Sequence, residues 1–415
     1  MTTPSTAVEV TTATTTGATT ATGFAVLPTP LSELEFTLDP KPIAYFGRGT
    51  VTQVGTIARK AGASHVLIVT DPFLAASPVV AAVRAALESA ELDVTVYGGV
   101  TPNPTTTCVD EGSDLAASVG ADALVAVGGG SSMDAAKGIS LGAVNPQRGI
   151  ELDYLSEFAH AALPIIAVPT TAGTGAEVNA FGVITDVVGH RKFYVGHSSA
   201  LARAAVLDPD LTVGLPPTAT AATGMDALTH ALESFLSVRA NPYSDGIALG
   251  VISTVARYLP DAVRDGSDIE ARSQLLLASH IAGVGFSHTG LGLVHGIAHP
   301  LGGRFNIPHG LALCIVIERV LQFNLPAREE RIARVAFALE AGDTHATVQE
   351  NAQAAIRAIA DLARDVGMTA RLADFGVTDA DLGGLAADTL ADSVTVNNPI
   401  QPTTDDVVRI LKESL

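Results

Sequence analysis

The sequence predicts an α/β domain with a parallel sheet, followed by a domain built only of helices. Between residues 42 and 211, short and nearly continuous apolar segments alternate with amphipathic helical segments, the pattern of a parallel sheet covered on both faces. After residues 215–217 the strand patterns disappear, and Ala/Leu-rich helical periods continue to the C-terminus. We therefore place the α/β domain at residues 30–213 and the helical domain at residues 214–415.

The predicted strands are short segments rich in Val, Ile and Ala. They lie at residues 42–47, 65–70, 93–98, 123–128 and 164–169, and a further extended region covers residues 191–208. The clearest helical periods lie at residues 77–90, 108–120, 220–236, 271–285, 351–366 and 406–415. The sequence shows no internal repeat.

The composition excludes several classes of protein. The chain has 415 residues, a formal net charge of −19, 47% hydrophobic residues and 16% charged residues, which excludes a disordered or coiled-coil protein. The acidic balance argues against binding to nucleic acids or anionic membranes, since both need clustered Lys and Arg. Cys108 and Cys314 are too few for a disulfide framework and predict a cytoplasmic location. We also expect no membrane helix, because no apolar stretch has its length and flanks.

Residues 1–29 are predicted to form a disordered tail. Residues 1–22 are a Thr/Ala tract with almost no charge and no large apolar face. No Lys or Arg precedes Lys41, so the basic region of a secretory signal or a transit peptide is missing.

A glycine-rich turn, GGGSS at residues 128–132, follows a predicted strand and begins a helix. Gly129 and Gly130 allow the backbone to approach a ligand, and at Ser131 the start of the helix presents free N–H groups to an anion. The turn is not a GxGxxG fingerprint. Phosphate binding and a purely structural tight turn therefore both stay open.

Three other features of the α/β domain could contact a ligand. Asp71 follows a strand, where it could bind a ribose diol and repel a 2′-phosphate, or merely cap the turn before Pro72. The loop at residues 169–179 is either a ligand-facing loop or a solvated turn, and its hydroxyls belong to Thr170, Thr171 and Thr174. Lys192, in the next extended region, could meet a phosphate or be a surface charge.

The helical domain contains a set of potential metal ligands. Asp226 and His230 are four residues apart on a predicted helix and share one face, and His295 and His299 repeat this spacing. His309 follows in the next motif. Converging nitrogen and carboxylate donors suit a divalent transition metal such as Fe²⁺ or Zn²⁺.

The segment around these histidines has an unusual composition. Residues 281–303 contain no Asp, Glu, Lys or Arg, and five of the eleven histidines lie between His280 and His309. Such a segment is too interrupted for a membrane helix and makes a poor surface, so it predicts the wall of a buried pocket. A lone core histidine is usually structural, but this clustering favours a metal site.

Four motifs in this order resemble those of the iron-containing (group III) alcohol dehydrogenases. They are GGGSSMDAAK at 128–137, PTTAGTGAE at 169–177, GMDALTHALE at 224–233 and GLGLVHGIAHPLGGRFNIPHG at 290–310. The resemblance covers about residues 30–415. Within the family, the last motif is similar to the form found in lactaldehyde reductase/1,2-propanediol dehydrogenases and not to that of maleylacetate reductases.

The resemblance implies a fold and a metal site. The fold is a Rossmann-like dinucleotide-binding α/β domain and a helical domain, as in dehydroquinate synthase-like proteins, with the active site in the cleft between them. The implied metal ligands are Asp226, His230, His295 and His309. His299 would lie beside the metal, where it could assist proton transfer or orient the substrate.

The resemblance also implies a cofactor site and a substrate pocket. NAD is the expected cofactor, with NADP left open, and the implied binding residues are Asp71, Asn103, Gly129, Gly130, Ser131, Thr170, Thr171, Thr174 and Lys192. Phe286 corresponds to an aromatic residue that lines the substrate pocket. Ile400 replaces an Arg present in many relatives, which leaves the outer pocket undetermined.

The implied activity is reversible NAD-linked oxidation of a primary alcohol or small diol, with Fe²⁺, or Zn²⁺ in its place, in a homodimer or larger homo-oligomer. One alternative is a zinc polyol dehydrogenase of the glycerol dehydrogenase type. Another is a non-enzymatic metal or nucleotide binder that kept the fold. Dehydroquinate synthase activity is disfavoured, because residues 281–303 supply no basic pocket for a phosphorylated substrate.

Overall fold

The computed structural model describes residues 42–189 and 191–415. The tail predicted at residues 1–29 lies outside the described residues. The described ranges contain eight strands, namely β1 Ile43–Phe46, β2 His65–Val69, β3 Asp93–Tyr97, β4 Ala123–Gly128, β5 Ile165–Pro169, β6 Phe181–Asp186, β7 Arg191–Gly196 and β8 Ala204–Leu207.

Six of the strands form one parallel sheet in the order β1-β8-β5-β4-β2-β3. β6 and β7 form a separate antiparallel pair. The parallel sheet and its five predicted strands are confirmed, and the extended region at residues 191–208 resolves into β7 and β8. The sequence did not predict β6, which is only half-buried and so lacks the continuous apolar run of the central strands.

The central strands are apolar throughout because helices cover both faces of the sheet. All six residues of β4 are buried. Leu124 and Ala126 pack into one core with residues of the helices around Val109 and Ile139, and Val125 and Val127 pack into the core on the opposite face. This alternation follows from the two-residue period of a strand.

The helices of the first part are α1 Val54–Lys60, α2 Pro72–Ala75, α3 Pro78–Ser89, α4 Thr106–Val119 and α5 Gly130–Gly142. Those of the second part are α6 Pro217–Leu236, α7 Pro242–Arg264, α8 Ile269–Thr289, α9 Leu293–Phe305, α10 His309–Ala338, α11 Val348–Asp365, α12 Leu382–Ala391 and α13 Thr404–Lys412. The predicted all-helical second part agrees with this order. The exact boundary at 213/214 stays a prediction.

The strand order places a crevice at the carboxyl ends of β2 and β4. From β2 the chain moves to β3 at one edge, whereas from β4 it moves through β5 to β8 in the opposite direction. The order therefore reverses between β2 and β4, and open α/β sheets bind ligands at such a reversal.

Among the described residues, one helix, α10, is long and apolar enough to cross a membrane when judged by length and composition alone. It packs against α6, α9 and α11, and it buries Leu313, Val316 and Val320 in the helical core. Its backbone leaves the helical conformation at Arg328, two residues after Pro326. These are features of a core helix.

Candidate active site

The predicted metal ligands converge within the helical part, from α6, α9 and α10. Asp226 and His230 lie one turn apart on α6, and His295 lies in the first turn of α9. The Nε2 atoms of His230 and His295 lie 3.3 Å and 3.4 Å from Oδ1 of Asp226. Nε2 of His309, at the start of α10, lies 3.6 Å from the same oxygen. Three imidazole nitrogens thus surround one carboxylate oxygen.

Hydrogen bonds at the opposite ring nitrogens orient two of these histidines. Nδ1 of His230 lies 3.2 Å from the carbonyl oxygen of Gly173. Nδ1 of His295 lies 2.6 Å from Oε2 of Glu233, whose other carboxylate oxygen accepts the N–H of Val294 at 2.6 Å. Metal-binding histidines commonly donate this second N–H to a carbonyl or carboxylate, which directs the free nitrogen to the ion.

Glu233 was not among the residues predicted from the sequence. Its spacing in the sequence could have indicated it. Asp226, His230 and Glu233 follow one another at intervals of four and three residues and therefore share one face of α6. Its partner His295 is 62 residues away in the chain, so the pairing itself has no local signal.

The charges of the cluster shift the pKa values of its members. Burial would raise the pKa of Asp226, but His230 and the other nearby histidines outweigh burial and hold it well below its usual range. Burial lowers the pKa of His230 to about 4. Burial would also lower the pKa of His295, but the charge of Glu233 and the bond to Asp226 raise it to about 9.

The donor set fits a divalent transition metal. Bonds of ~2.1 Å to nitrogen and oxygen ligands place the ligands of a tetrahedral ion ~3.4 Å apart. The measured separations from Asp226 are 3.3 to 3.6 Å. Asp226, His230 and His295 are buried, and within the described chain they form the one group of three or more ligand-type side chains with this geometry. His309 borders open space, with 41% of its side chain exposed.

A cleft of about 750 Å³ lies directly above this cluster, and both parts of the chain line it. It brings together most of the predicted site residues, namely Asn103, Gly130, Ser131, Thr174, Lys192, Asp226, His230, Phe286, His295, His299 and His309. The other four, Asp71, Gly129, Thr170 and Thr171, do not line the cleft. They follow the carboxyl ends of β2, β4 and β5, which are adjacent in the sheet.

The two small-residue loops predicted from the sequence pack against each other. A Cβ atom at Gly130 would lie 2.9 Å from Cγ2 of Thr174, and one at Gly129 would lie 3.2 Å from the Thr171 side chain. α5 begins at Gly130 without a capping side chain, so its first N–H groups are free for an anion. A backbone cradle at a helix start fits the pyrophosphate of a dinucleotide.

Asp71 has a structural role in addition to any role in cofactor binding. Its Oδ1 accepts the N–H groups of Phe73 at 2.8 Å and Leu74 at 2.9 Å and so caps α2. This is the turn-capping role that the sequence left open. Its Oδ2 has no hydrogen bond to any residue in the described part of the chain, so a ribose hydroxyl could still bind there.

Two lysines hold the loops around the cleft. Nζ of Lys192 donates to Oδ1 of Asn103 at 2.9 Å, which pairs two residues predicted on the cofactor side. Lys137 was not predicted, although it closes the motif GGGSSMDAAK. It is buried, it donates to the carbonyls of Ala176 and Phe181 at 2.8 Å and 2.6 Å, and burial lowers its pKa to about 8. It ties α5 to the loop after β5.

The two residues predicted for the substrate side lie next to the metal cluster. The ring centroid of Phe286 is 4.5 Å from that of His230. The His299 ring stacks on His309 with 5.7 Å between centroids. Nδ1 of His299 lies 2.6 Å from Oδ2 of Asp392, a residue that the sequence did not indicate.

Comparison with known proteins identifies the family. Residues 41–209 match the family model of the iron-containing alcohol dehydrogenases, and residues 220–415 match the model of the C-terminal part of the Fe-containing alcohol dehydrogenase family. The chain belongs to the iron-containing alcohol dehydrogenase family. The resemblance stated from its motifs is thereby confirmed.

Several relatives of known function match this family member over most of its length. It is 37% identical to the NAD-dependent methanol dehydrogenase of Bacillus methanolicus, over 90% of this chain and 98% of the relative. It is 39% identical to the lactaldehyde reductase of Escherichia coli strain K12, over 88% of this chain and 96% of the relative.

Solved structures show the same fold. A 1,3-propanediol oxidoreductase superposes with a TM-score of 0.89 at 34% identity, covering 92% of this chain and 100% of that one. A sulfoacetaldehyde reductase from Bifidobacterium kashiwanohense, solved in complex with NAD⁺, has a TM-score of 0.83 at 29% identity and covers 92% and 99%. This iron-containing alcohol dehydrogenase is therefore an oxidoreductase of alcohols or diols with iron and NAD as cofactors, as predicted.

Proposed function

We propose that this enzyme transfers a hydride reversibly between a short primary alcohol or small diol and NAD, with the metal held by Asp226, His230, His295 and His309. The observation that carries the proposal is the convergence of three Nε2 atoms on Oδ1 of Asp226, in a cleft that the start of α5 also lines. This arrangement would hold an alcohol beside the metal ligands and a nicotinamide in the same cleft, in the proximity that hydride transfer needs.

Each group of the chain has a definite task in this proposal. When bound, the ion supplies a Lewis acid for the substrate oxygen and the nicotinamide supplies a hydride acceptor. The N–H groups at Gly130 and Ser131 bind phosphate oxygens, and Lys192 adds a positive charge nearby. Phe286 excludes water beside His230, and His299 accepts the proton that the hydroxyl group loses.

Aromatic residues support a small or apolar substrate. Tyr154, Phe181 and Tyr194 line the cleft, and the Phe181 ring meets those of Tyr154 and Tyr194 edge to face, with centroids 6.4 Å and 5.6 Å apart. Rigid rings of this kind narrow the space and favour a short alkyl chain over a long polar one.

Metal analysis of anaerobically purified protein, paired with activity assays, tests the proposal. We expect about one iron per chain and NADH formation with 1-propanol and 1,2-propanediol, with NAD preferred over NADP. Zinc together with a strong preference for glycerol would support the polyol dehydrogenase alternative. Bound metal without turnover of any alcohol or aldehyde would contradict the proposal and favour a non-enzymatic binder.

We further propose a cytoplasmic location and a homo-oligomeric assembly. Cys108 is buried and Cys314 is partly buried, and neither forms a disulfide, which supports a reducing compartment. Fractionation of the native cells tests the location. Light scattering after gel filtration tests the assembly, and a mass of one 42.3 kDa chain would contradict it.

A further inference from the structure

His299 is held by a buried carboxylate from a distant part of the helical domain. Oδ2 of Asp392, which follows α12, lies 2.6 Å from Nδ1 of His299 on α9. Both side chains are largely buried, with 16% of His299 and 12% of Asp392 exposed. Oδ1 of Asp392 lies 3.1 Å from the backbone N–H of Val394 and 3.2 Å from the hydroxyl of Tyr194 on β7.

The partners of Asp392 determine which atoms donate hydrogen. The N–H of Val394 can only donate. Burial and the charge of Asp392 raise the pKa of Tyr194, so its hydroxyl stays protonated and also donates. Burial would raise the pKa of Asp392, but its contacts with His299, Val394 and Tyr194 hold it below its usual range. The carboxylate is therefore ionised and accepts on every side, because it has no hydrogen to give. Nδ1 of His299 must then carry the hydrogen of the short bond.

We propose that Asp392 is a positioning residue that keeps the hydrogen of His299 on Nδ1, so that the lone pair of Nε2 is available to the substrate hydroxyl in the cleft. His299 lines the cleft, and its Nε2 has no hydrogen bond to any residue that the structure describes. The inference rests on the role of His299 in the proposed function and extends it to a residue 93 positions away.

This arrangement serves the removal of the hydroxyl proton during oxidation of the alcohol. The hydroxyl proton moves to Nε2 while its bonding electron pair stays on oxygen. That pair forms the carbonyl as the carbon gives a hydride to NAD⁺. The products are the aldehyde, NADH and a protonated His299. With the opposite tautomer, Nε2 would carry a hydrogen and could not accept the proton.

Asp392→Asn tests the tautomer directly. The N–H of Val394 requires an acceptor, so the amide oxygen of the new Asn takes the place of Oδ1 and the cap at Val394 is kept. The amide NH₂ then faces Nδ1 of His299 and donates to it, which moves the ring hydrogen to Nε2. We expect kcat to fall by ~10²-fold or more, the scale of a lost acid–base group. Metal content and the NADH dissociation constant should stay at wild-type values.

A double-mutant cycle with His299→Ala separates positioning from a structural role. If Asp392 acts through His299, adding Asp392→Asn to His299→Ala should cause no further loss of kcat. Asp388→Asn is the matched control, because Asp388 lies one turn earlier on α12 and binds Arg304 on the surface. It should leave kcat unchanged.

The outcomes distinguish the inference from the proposed function. The role of Asp392 would be overturned if the losses of kcat in the two single variants added up in the double variant. Full activity of Asp392→Asn together with impaired activity of His299→Ala would also overturn it, and neither result would affect the proposed function. A wild-type protein without NAD-linked turnover would instead overturn the proposed function. If Asp392→Asn does not fold, Tyr194→Phe tests the same hydrogen-bond chain. Tyr194→Phe should lower kcat less than Asp392→Asn does, and it should cause no further loss of kcat when it is added to His299→Ala. A further loss in that double variant would contradict the inference.

Discussion

The helical part and the α/β part contribute to the cleft by opposite means. In the helical part the site consists of side chains, with Asp226 and His230 one turn apart on α6 and His295 in the first turn of α9. In the α/β part the expected cofactor contact is the exposed backbone at the start of α5, and Gly130 matters there because it has no side chain. Removing atoms should therefore damage the first region, whereas adding atoms should damage the second.

The largest effect is expected from His295→Ala in the helical part. The variant removes one metal ligand and leaves the carboxylates of Asp226 and Glu233 without their shared partner, so metal binding and turnover should be abolished. Metal content by mass spectrometry and NADH formation are the measurements. His288→Ala is the control, because His288 lies outside the cleft and contacts Tyr243. Normal metal content in His295→Ala would remove this residue from the ligand set.

Metal binding should also depend strongly on pH, because ligands must lose their protons to bind. The metal-free His295 has a pKa of about 9, so below that pH a proton has to leave before the ion binds. Lowering the pH from 8 to 6 should therefore weaken Zn²⁺ binding ~100-fold or more. Above pH 9, where His295 has already lost its proton, the affinity should no longer rise with pH. Calorimetric titration in buffers of different ionisation enthalpy measures the released proton.

Glu233→Gln sharpens this test. The amide lacks the negative charge that raises the pKa of His295, so the pH dependence between 8 and 6 should become shallower. Affinity at pH 8 should fall ~10- to 100-fold, as when the hydrogen-bond partner of a ligand is lost. An unchanged pH dependence would show that Glu233 does not control the protonation of His295.

The α/β part should respond to an added methyl group. Gly130→Ala places a Cβ 2.9 Å from Cγ2 of Thr174 and covers the start of α5, which should weaken NADH binding by about 1–3 kcal/mol, or ~5- to 150-fold. Fluorescence titration of NADH gives the constant. Gly246→Ala on α7 is the control, because a Cβ there meets no atom within 4 Å. Equal NADH affinity in the two variants would exclude a close cofactor approach at Gly130.

The same contrast explains what could be predicted from the sequence. Helical spacing put Asp226 beside His230 because three- and four-residue intervals share a face, and apolar runs identified the central strands. No local pattern could pair His299 with Asp392, which follows another helix and lies 93 residues later in the chain. Nor could any pattern show that Asp71 follows a strand adjacent to β4, since strand order depends on the packing of the whole sheet.

The smallest effect is expected at Asp71, where the backbone-capping role and the proposed cofactor role coincide. Asp71→Ser keeps an N-cap acceptor for α2 but removes the negative charge. Two like charges 4 Å apart in water repel by about 1 kcal/mol, so kcat/KM with NADP should rise ~5-fold relative to NAD.

Asp71→Ala removes both the charge and the cap. If repulsion of the 2′-phosphate is the cause, both variants should shift the cofactor ratio equally, and only Asp71→Ala should also lower the melting temperature. A ratio that changes in Asp71→Ala but not in Asp71→Ser would mean that Asp71 acts only by holding the turn, and that the preference for NAD arises elsewhere along the carboxyl ends of the sheet.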